Sequence, residues 1–129
     1  MKKENSKGYK EWFLQADYDF ETAEAMYKSG RYLYTVFMSH LCIEKALKGL
    51  LVKRHDVFPP KTHNLIYLVE KIELELTEKD TAFVFQLNDV SLPTRYPEDL
   101  KKLMRVYTKE KAKQILDKTN ILLKWIKEQ

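Results

Sequence analysis

Residues 34–51 read Tyr-Thr-Val-Phe-Met-Ser-His-Leu-Cys-Ile-Glu-Lys-Ala-Leu-Lys-Gly-Leu-Leu, and this stretch decides the fold. At about 100° per residue, one face of a helix formed here carries Phe37, Leu41, Leu47 and Leu51. Most other positions are apolar or small, which is typical of a central, buried helix. We therefore predict a helical protein that is organised around this segment.

Three polar side chains, His40, Glu44 and Lys48, lie on the same face of this helix. A buried carboxylate is costly unless a cation or hydrogen-bond donors accompany it. One interpretation is an ordinary Glu44–Lys48 helix pair beside a core histidine. The other interpretation is a polar cavity between helices that these three groups line.

The opposite side of the helix carries a strip of small residues, Ser39, Cys42, Ala46 and Gly49, which allows another backbone to approach closely. Cys42 is the only cysteine, so no intrachain disulfide can form and a reducing compartment is expected. No neighbouring residue would activate this thiol, and we predict that it is buried and inert.

The composition is that of one helical domain covering residues 1–129. Hydrophobic residues make up 44% and charged residues 33%, with only 3 glycines and 4 prolines, which excludes disordered and fibrous proteins. No stretch has the roughly 18 apolar residues that a membrane span needs, and the start lacks a signal peptide's apolar region. We expect a cytoplasmic protein that does not enter a membrane.

The charge is unevenly distributed along the chain. The net charge is +4, with an excess of basic residues over 101–118 and of acidic residues over 70–80. Two interpretations remain open, namely a solvated helix surface and a basic end that meets an anionic partner.

Hydrophobic periodicity divides the chain into helices. We predict helices at residues 10–28, 31–55, 63–76, 78–90 and 109–128, with a short turn of helix within 98–107 and an irregular loop over 91–99. Gly30 ends the first helix, and the expected N-caps are Thr62, Thr77 and Thr108. The fold class is therefore all-α, an antiparallel up-and-down bundle of four to five helices.

Two of these helices have well-defined apolar sets. The helix at 78–90 is expected to pack through Ala82, Phe83, Phe85, Leu87 and Val90. The last helix is expected to pack through Ala112, Ile115, Leu116, Thr119, Leu122, Leu123 and Ile126.

Several kinds of site are excluded by the residues available. Three glycines cannot build a Gly-x-Gly-x-x-Gly or a Walker-type phosphate loop. His40, His55 and His63 include no i, i+4 pair, and no Cys–His cluster has zinc spacing. We therefore predict no metal and no cofactor.

Two further segments carry residues suited to an anion. His63 lies at a predicted helix start, where N–H donors and a partial positive charge favour anions, although it can equally be an ordinary first-turn residue. Arg95-Tyr96-Pro97 places a guanidinium beside an aromatic ring, a combination that suits phosphate binding and base stacking. A tyrosine before a proline can also simply pack a turn.

The order and spacing of these segments resemble the HEPN family (higher eukaryotes and prokaryotes nucleotide-binding), across nearly the whole chain. The resemblance rests on Ala16-Asp-Tyr-Asp19, Gly30-Arg-Tyr32, His40-Leu-Cys-Ile-Glu-Lys-Ala-Leu-Lys48, Pro60-Lys-Thr-His-Asn-Leu65 and Arg95-Tyr-Pro97. The Glu-Lys-Ala-Leu-Lys core with a downstream His-Asn-Leu is fairly specific. The match is to the small, stand-alone prokaryotic type.

This resemblance implies a helical bundle that commonly forms homodimers and has a polar groove for nucleotide or RNA. The bundle also resembles the C-terminal helical domain of kanamycin-type nucleotidyltransferases. Small stand-alone members are often encoded beside a minimal nucleotidyltransferase, with which they form toxin–antitoxin-like pairs.

Ribonuclease members of the family carry an Arg, four to six residues, and then a His. This chain departs from that motif, because eight residues separate Arg31 from His40 and Arg54 from His63. The departure favours a protein without catalytic activity.

The leading hypothesis is a non-catalytic protein that binds a nucleotide or another phosphate-bearing ligand. The expected groove is lined by His40, Glu44, Lys45, Lys48, His63, Arg95 and Tyr96. Lys45, Lys48 and Arg95 would neutralise phosphate, Tyr96 would stack on a base, and Glu44 would orient Lys48 or His40.

Two alternatives remain open. The chain could be a metal-independent ribonuclease, with His40 or His63 as general base and Arg95 stabilising charge on the phosphate. It could also be a pure interaction protein. In either case we predict a homodimer, because the first helix has aromatic residues on several faces and the small strip invites close approach. Arg95 of one copy would then approach the site of the other.

Overall fold

A computed structural model describes residues 2–90 and 97–129 of the chain, and those residues form helices and connecting turns without any strand. The helices are α1 (Lys2–Lys28), α2 (Tyr32–His55), α3 (Leu65–Ile72), α4 (Glu78–Asn88), α5 (Pro97–Val106) and α6 (Lys109–Glu128). The predicted all-α bundle is confirmed. Arg95 and Tyr96, with the rest of the predicted loop over 91–96, lie outside the described residues.

The turn between α1 and α2 is closed by a short-range hydrogen-bond motif. The N–H of Arg31 donates to the carbonyl of Met26 at 2.8 Å, and the N–H of Gly30 donates to that of Tyr27 at 3.1 Å. Gly30 has a φ of +79°, a backbone conformation that favours glycine. Since the turn is this tight, α1 and α2 pack side by side as an antiparallel pair.

Helix α2 is the centre of the molecule and packs against α1, α3 and α6. The small strip on α2 faces α1 rather than a second copy of the chain. A Cβ built on Gly49 would meet Phe13 Cδ1 at 2.7 Å and Trp12 Cβ at 3.0 Å. Burial raises the pKa of the Cys42 thiol, with the nearby Asp19 carboxylate adding to the effect, and Cys42 is fully buried.

Helix α3 is shorter than the sequence predicts. It begins after Asn64, whose side chain accepts a hydrogen bond from the N–H of Tyr67, and not after Thr62. It ends at Ile72, and the C-cap residue Glu73 adopts a left-handed conformation with φ of +60° although it is not a glycine. His63 therefore lies in the extended segment before the helix.

Three other predictions on helix bounds and packing are tested by the structure. Thr77 and Thr108 are N-caps, as predicted, and accept hydrogen bonds from the third residue that follows each of them. The predicted packing of α4 is wrong at Ala82 and Phe85, which are exposed. Helix α4 contacts the core through Phe83, Val84 and Leu87. All the apolar positions predicted for α6 are buried.

The short turn of helix predicted within residues 98–107 is instead the complete helix α5. It begins at Pro97, in the part of the chain that we predicted to be a loop. A proline is favoured in the first helical position because its missing N–H would have no intrahelical partner there. Within the described residues, no helix is long and apolar enough to cross a membrane.

Candidate functional site

Glu44 is the centre of a buried ionic cluster on α2, and only 4% of the residue is exposed. Its Oε2 accepts a hydrogen bond from Nζ of Lys48 at 3.0 Å. Its Oε1 accepts a hydrogen bond from Nδ1 of His63 at 2.8 Å. Both carboxylate oxygens are thus paired, which reduces the cost of burying the charge. The cluster also joins α2 to the segment before α3.

His63 is the exposed member of this cluster, with 65% of its side chain accessible. Because Nδ1 donates to Glu44, the position and tautomer of the ring are fixed from its inner side. Among the described residues, no group forms a hydrogen bond with the other ring nitrogen, Nε2. The cluster therefore presents Nε2 at the surface.

His40 holds the main chain of His63. Its Nε2 lies 3.0 Å from the carbonyl oxygen of His63, and because a carbonyl only accepts, we assign the proton of His40 to Nε2. Nδ1 of His40 is 3.8 Å from Oε1 of Glu44, which is too far for a hydrogen bond. Burial lowers the pKa of His40, while the Glu44 carboxylate opposes that shift. His40 is therefore a neutral, buried residue whose hydrogen bond holds the main chain of His63 in position.

Two asparagines fix the segment that carries His63. Oδ1 of Asn64 accepts a hydrogen bond from the N–H of Tyr67 at 3.1 Å. Oδ1 of Asn88, on α4, accepts one from the N–H of Leu65 at 2.8 Å, and its Nδ2 lies 3.4 Å from Oδ1 of Asn64. We expected the N–H donors at this helix start to suit an anion, but side chains of the protein already occupy two of them.

Lys48 is held inside the protein between Glu44 and Trp12. Its Nζ lies 5.8 Å from the centre of the Trp12 ring, within the range of a cation–π interaction. Only 9% of the lysine side chain is exposed. The ammonium group therefore neutralises Glu44 and is not offered to a phosphate, contrary to the role that we predicted.

Lys45 belongs to a different ion pair. Its Nζ lies 2.8 Å from Oδ2 of Asp19, a residue of α1. The side chain of Asp19 is 8% exposed and that of Lys45 is 24% exposed. Lys45 is thus separated from the Glu44 cluster, and its charge is neutralised by α1.

The structure therefore shows a largely buried ionic cluster where we predicted a groove open to a ligand. It brings together His40, Glu44, Lys48 and His63, but the first three are buried and bonded to other groups of the protein. His63 is the member that a ligand can reach. The other predicted members, Arg95 and Tyr96, lie outside the described residues.

An imidazole that is held at Nδ1 by a carboxylate can work in two ways at Nε2. When protonated, Nε2 donates a charged hydrogen bond, for example to a phosphate oxygen. When neutral, Nε2 accepts a proton, as the histidine of a catalytic triad does. No group of three or more His, Cys, Asp or Glu in the described part of the chain is arranged to hold a metal ion.

Comparison with known proteins agrees with the helical fold. A family model described as the HEPN domain matches residues 9–129, a range that includes the whole Glu44 cluster. The chain belongs to the HEPN family. Its central ionic cluster thus lies within the part of the protein that the family model describes.

Two relatives of this HEPN protein have a known name or structure. The chain is 31% identical over 137 residues to the protein named "Putative toxin MJ1304" of Methanocaldococcus jannaschii, with 96% of this chain and 89% of the relative covered. The crystal structure of TT1696 from Thermus thermophilus matches with a TM-score of 0.80 at 24% identity, covering 94% of this chain and 97% of that chain. The second match shows a shared fold.

Sequence reasoning missed several residues that build the site of this HEPN protein. Asn88 and Trp12 are distant in sequence from the residues that they support, and no periodicity links them. Asp19 could have been noticed as an acidic residue on the mainly apolar side of α1. Asn64 was the easiest to find, because asparagine is a preferred N-cap and a helical apolar pattern follows it.

Proposed function

We propose that this HEPN protein is a toxin-like, non-catalytic protein that binds a nucleotide or another phosphate-bearing ligand at His63. On this proposal it acts together with a minimal nucleotidyltransferase, as a toxin–antitoxin-like pair in the cytoplasm. Arg95 and Tyr96 are the proposed additional contacts to the phosphate and the base. The similarity to a protein named as a toxin supports the first part of the proposal.

The arrangement of Glu44 and His63 carries the ligand-binding part of the proposal. A buried carboxylate holds an imidazole at 2.8 Å while 65% of the imidazole side chain stays accessible. Lys48 forms a hydrogen bond with Glu44, and His40 forms one with the main-chain carbonyl of His63. Buried ionic groups are costly, so an arrangement of this kind has an evident use when it fixes one exposed polar group for a partner molecule.

Calorimetric titration with a panel of nucleotides tests this proposal. We expect binding by the wild-type protein, and we expect His63→Ala to weaken it roughly tenfold or more, as the loss of a charged hydrogen bond does. His55→Ala is the matched control, because His55 is also exposed but lies about 16 Å further along α2, measured from Glu44. The proposal is wrong if no nucleotide binds, with or without the partner enzyme present.

Growth of a bacterial host tests the toxin-like role. We expect expression of the wild-type chain to slow growth and co-expression of the neighbouring nucleotidyltransferase to restore it. His63→Ala should be less inhibitory at the same protein level, whereas His55→Ala should behave as wild type. Equal growth with all three proteins, confirmed as soluble by blotting, would contradict this role.

A second candidate function is metal-independent cleavage of RNA, and the Glu44–His63 pair favours it. The same geometry that orients a phosphate contact also orients a general base, with Nε2 free to accept a proton from a ribose hydroxyl. Incubation of the purified protein with mixed RNA in the presence of EDTA separates the two candidates. Cleavage that is lost in His63→Ala but kept in His55→Ala would establish the nuclease and overturn the non-catalytic proposal.

We also propose that the protein is a homodimer. The small strip on α2 is occupied by α1 and no longer supports a dimer. The support comes instead from Leu14 and Tyr18 of α1 and Ile121 of α6, which are large and about 70% exposed. Light scattering at micromolar concentration tests this proposal, and a mass of 15.4 kDa would show a monomer.

A further inference from the structure

A cavity of about 360 Å³ lies between the α1–α2 turn and α5, at the beginning of α2. Its lining includes Arg31, Tyr32, Tyr34, Leu100, Met104 and Tyr107. This volume is in the range of sites that hold small molecules. None of these residues belongs to the Glu44 cluster, so a molecule bound here would occupy a second site.

The aromatic walls of this cavity are held in place by other rings. The ring of Tyr32 packs against that of Tyr27, with 5.6 Å between the ring centres. Tyr34 meets Phe37 edge to face, with 5.7 Å between the ring centres. Side chains that are fixed before binding lose little conformational entropy when a ligand arrives. Together with the flexible Met104, they offer flat, apolar surfaces to a planar ring.

Positive charge is available on one side of the cavity. Arg31 is exposed, and among the described side chains no carboxylate pairs with its guanidinium. It also precedes the first turn of α2, a helix of 24 residues whose N-terminus is not capped by any side chain. The first N–H groups of a helix have no intrahelical acceptor and carry a partial positive charge. An anionic group would therefore be favoured here.

Tyr107 supplies a polar group to the same cavity. Only 8% of this residue is exposed, and it is one of the residues that line the cavity. Burial, with the nearby Asp89 carboxylate, raises the pKa of Tyr107, so the phenol keeps its proton at neutral pH. The protonated phenol can donate a hydrogen bond to an acceptor atom of a ligand in the cavity.

We infer that this cavity binds a small planar aromatic molecule that carries an anionic group. The ring packs between the tyrosines and Met104, and the anion lies at Arg31 and the N-terminus of α2. Tyr107 forms a hydrogen bond with a polar edge of the ring. This site is independent of His63 and goes beyond the proposed function.

The methionine methyl groups offer a direct test by NMR. The chain carries ¹³C-methyl methionine and is titrated with AMP, adenosine, ribose 5-phosphate and indole-3-acetate. We expect Met104 to shift and saturate with AMP or indole-3-acetate, which also tells a nucleotide from an aromatic carboxylate. Met26 and Met38 do not line the cavity and should stay unchanged. Adenosine lacks the anion and ribose 5-phosphate lacks the ring, so each should bind roughly tenfold more weakly or worse.

Variants on the two sides of the cavity complete the test. Arg31→Ala and Tyr34→Ala should each weaken the Met104 response roughly tenfold. Arg54→Ala and Tyr67→Ala are the matched controls, since both residues are exposed and neither lines the cavity. Thermal unfolding confirms that each variant is folded. His63→Ala should leave the Met104 response intact, so failure of the His63 proposal and failure of this one are separate results. The inference is overturned if neither AMP nor indole-3-acetate moves Met104, or if the control variants weaken binding equally.

Discussion

Two ion pairs in this molecule have the same spacing and nearly the same length but opposite surroundings. Lys48 and Glu44 are four residues apart on α2, with 3.0 Å between Nζ and Oε2. Lys113 and Asp117 are four residues apart on α6, with 2.8 Å between Nζ and Oδ1. The side chains of the first pair are 9% and 5% exposed, whereas those of the second are 53% and 57% exposed.

The comparison shows that distance alone does not decide what an ion pair does. On α6 water solvates both charges, so breaking the pair exchanges one solvated arrangement for another. On α2 neither charge can be left alone without a large cost, because both side chains are largely shielded from water. The buried pair is therefore obligatory, and through the second oxygen of Glu44 it also places His63. The following predictions test how far this difference between buried and exposed positions extends.

The largest effect is expected for Glu44→Leu. This change leaves the Lys48 ammonium buried without its anion, and we expect unfolding free energy to fall by about 3–5 kcal/mol. Chemical denaturation measures it. The double variant Glu44→Leu/Lys48→Met should recover most of the loss, because a buried pair can be replaced by apolar groups of similar volume.

Asp117→Ala is the exposed counterpart of that experiment and should leave the denaturation midpoint unchanged within error. The conclusion drawn from the two pairs would be wrong if Glu44→Leu also left the denaturation midpoint unchanged. It would also be wrong if the double variant stayed as unstable as the single one, because the loss would then come from packing and not from an unpaired charge.

A smaller effect is expected for Gly49→Ala. The new Cβ would lie 2.7 Å from Phe13 Cδ1, so the Phe13 ring or α1 has to shift, and we expect a loss of about 1–3 kcal/mol despite the better helix propensity of alanine. Gly8→Ala is the control, because a Cβ there would meet nothing within 4 Å. In thermal unfolding, the melting temperature of Gly49→Ala should be lower than that of Gly8→Ala. An equally stable Gly49→Ala protein would show that α1 is not tightly seated on α2.

Asn88→Ala is expected to cost about 1 kcal/mol, the usual value of a helix N-cap. Thr77→Ala removes a cap on α4 and should cost a similar amount. The two variants should differ in the NMR signals of the His63 ring, which only Asn88→Ala should shift. If Thr77→Ala shifted them as much, the asparagine would have no special part in placing His63.

The smallest effect is a change in pH dependence. Burial lowers the pKa of His40, so the folded protein keeps this ring neutral while the unfolded chain takes up a proton. The stability that neutral His40 contributes is present at pH above its ordinary pKa and is lost progressively as the pH falls below about 6.5. His40→Gln should therefore show a shallower loss of stability over this range.

Glu44, Lys48 and His63 surround His40 and are present in both the wild type and His40→Gln, so the two proteins differ in the His40 ring alone. His55→Gln is the control and should retain the steeper wild-type slope. Identical slopes for all three proteins, measured by denaturation at several pH values, would show that burial of His40 has no measurable linkage to protons.

Local signals in the sequence were enough to predict most helices of this fold. The apolar stripe of α6, the caps at Thr77 and Thr108 and the turn at Gly30 each depend on neighbouring residues alone. The bounds of α3 were wrong because two competing signals were present. Asn64 displaced Thr62 as the cap, and Glu73 adopted a conformation that sequence rules expect of glycine.

The candidate site could be predicted in part. His40, Glu44 and Lys48 follow from helical spacing, and a buried glutamate requires a cation. The hydrogen bond between Glu44 and His63 joins residues 19 apart across a loop, and no periodicity places it. The pairing of Lys45 with Asp19 depends on how α1 docks against α2, so charge type alone could not tell it from a free lysine.

The capping of α3 by Asn88 has a consequence for the order in which the protein folds. A helix of eight residues does not persist alone in water, and its first N–H is satisfied by a side chain that lies 23 residues further along the chain. The α1–α2 hairpin needs only contacts between neighbouring segments and can form early. During synthesis on the ribosome, His63 therefore reaches its final position only after α4 has emerged and docked, and the chain acquires its exposed imidazole site late.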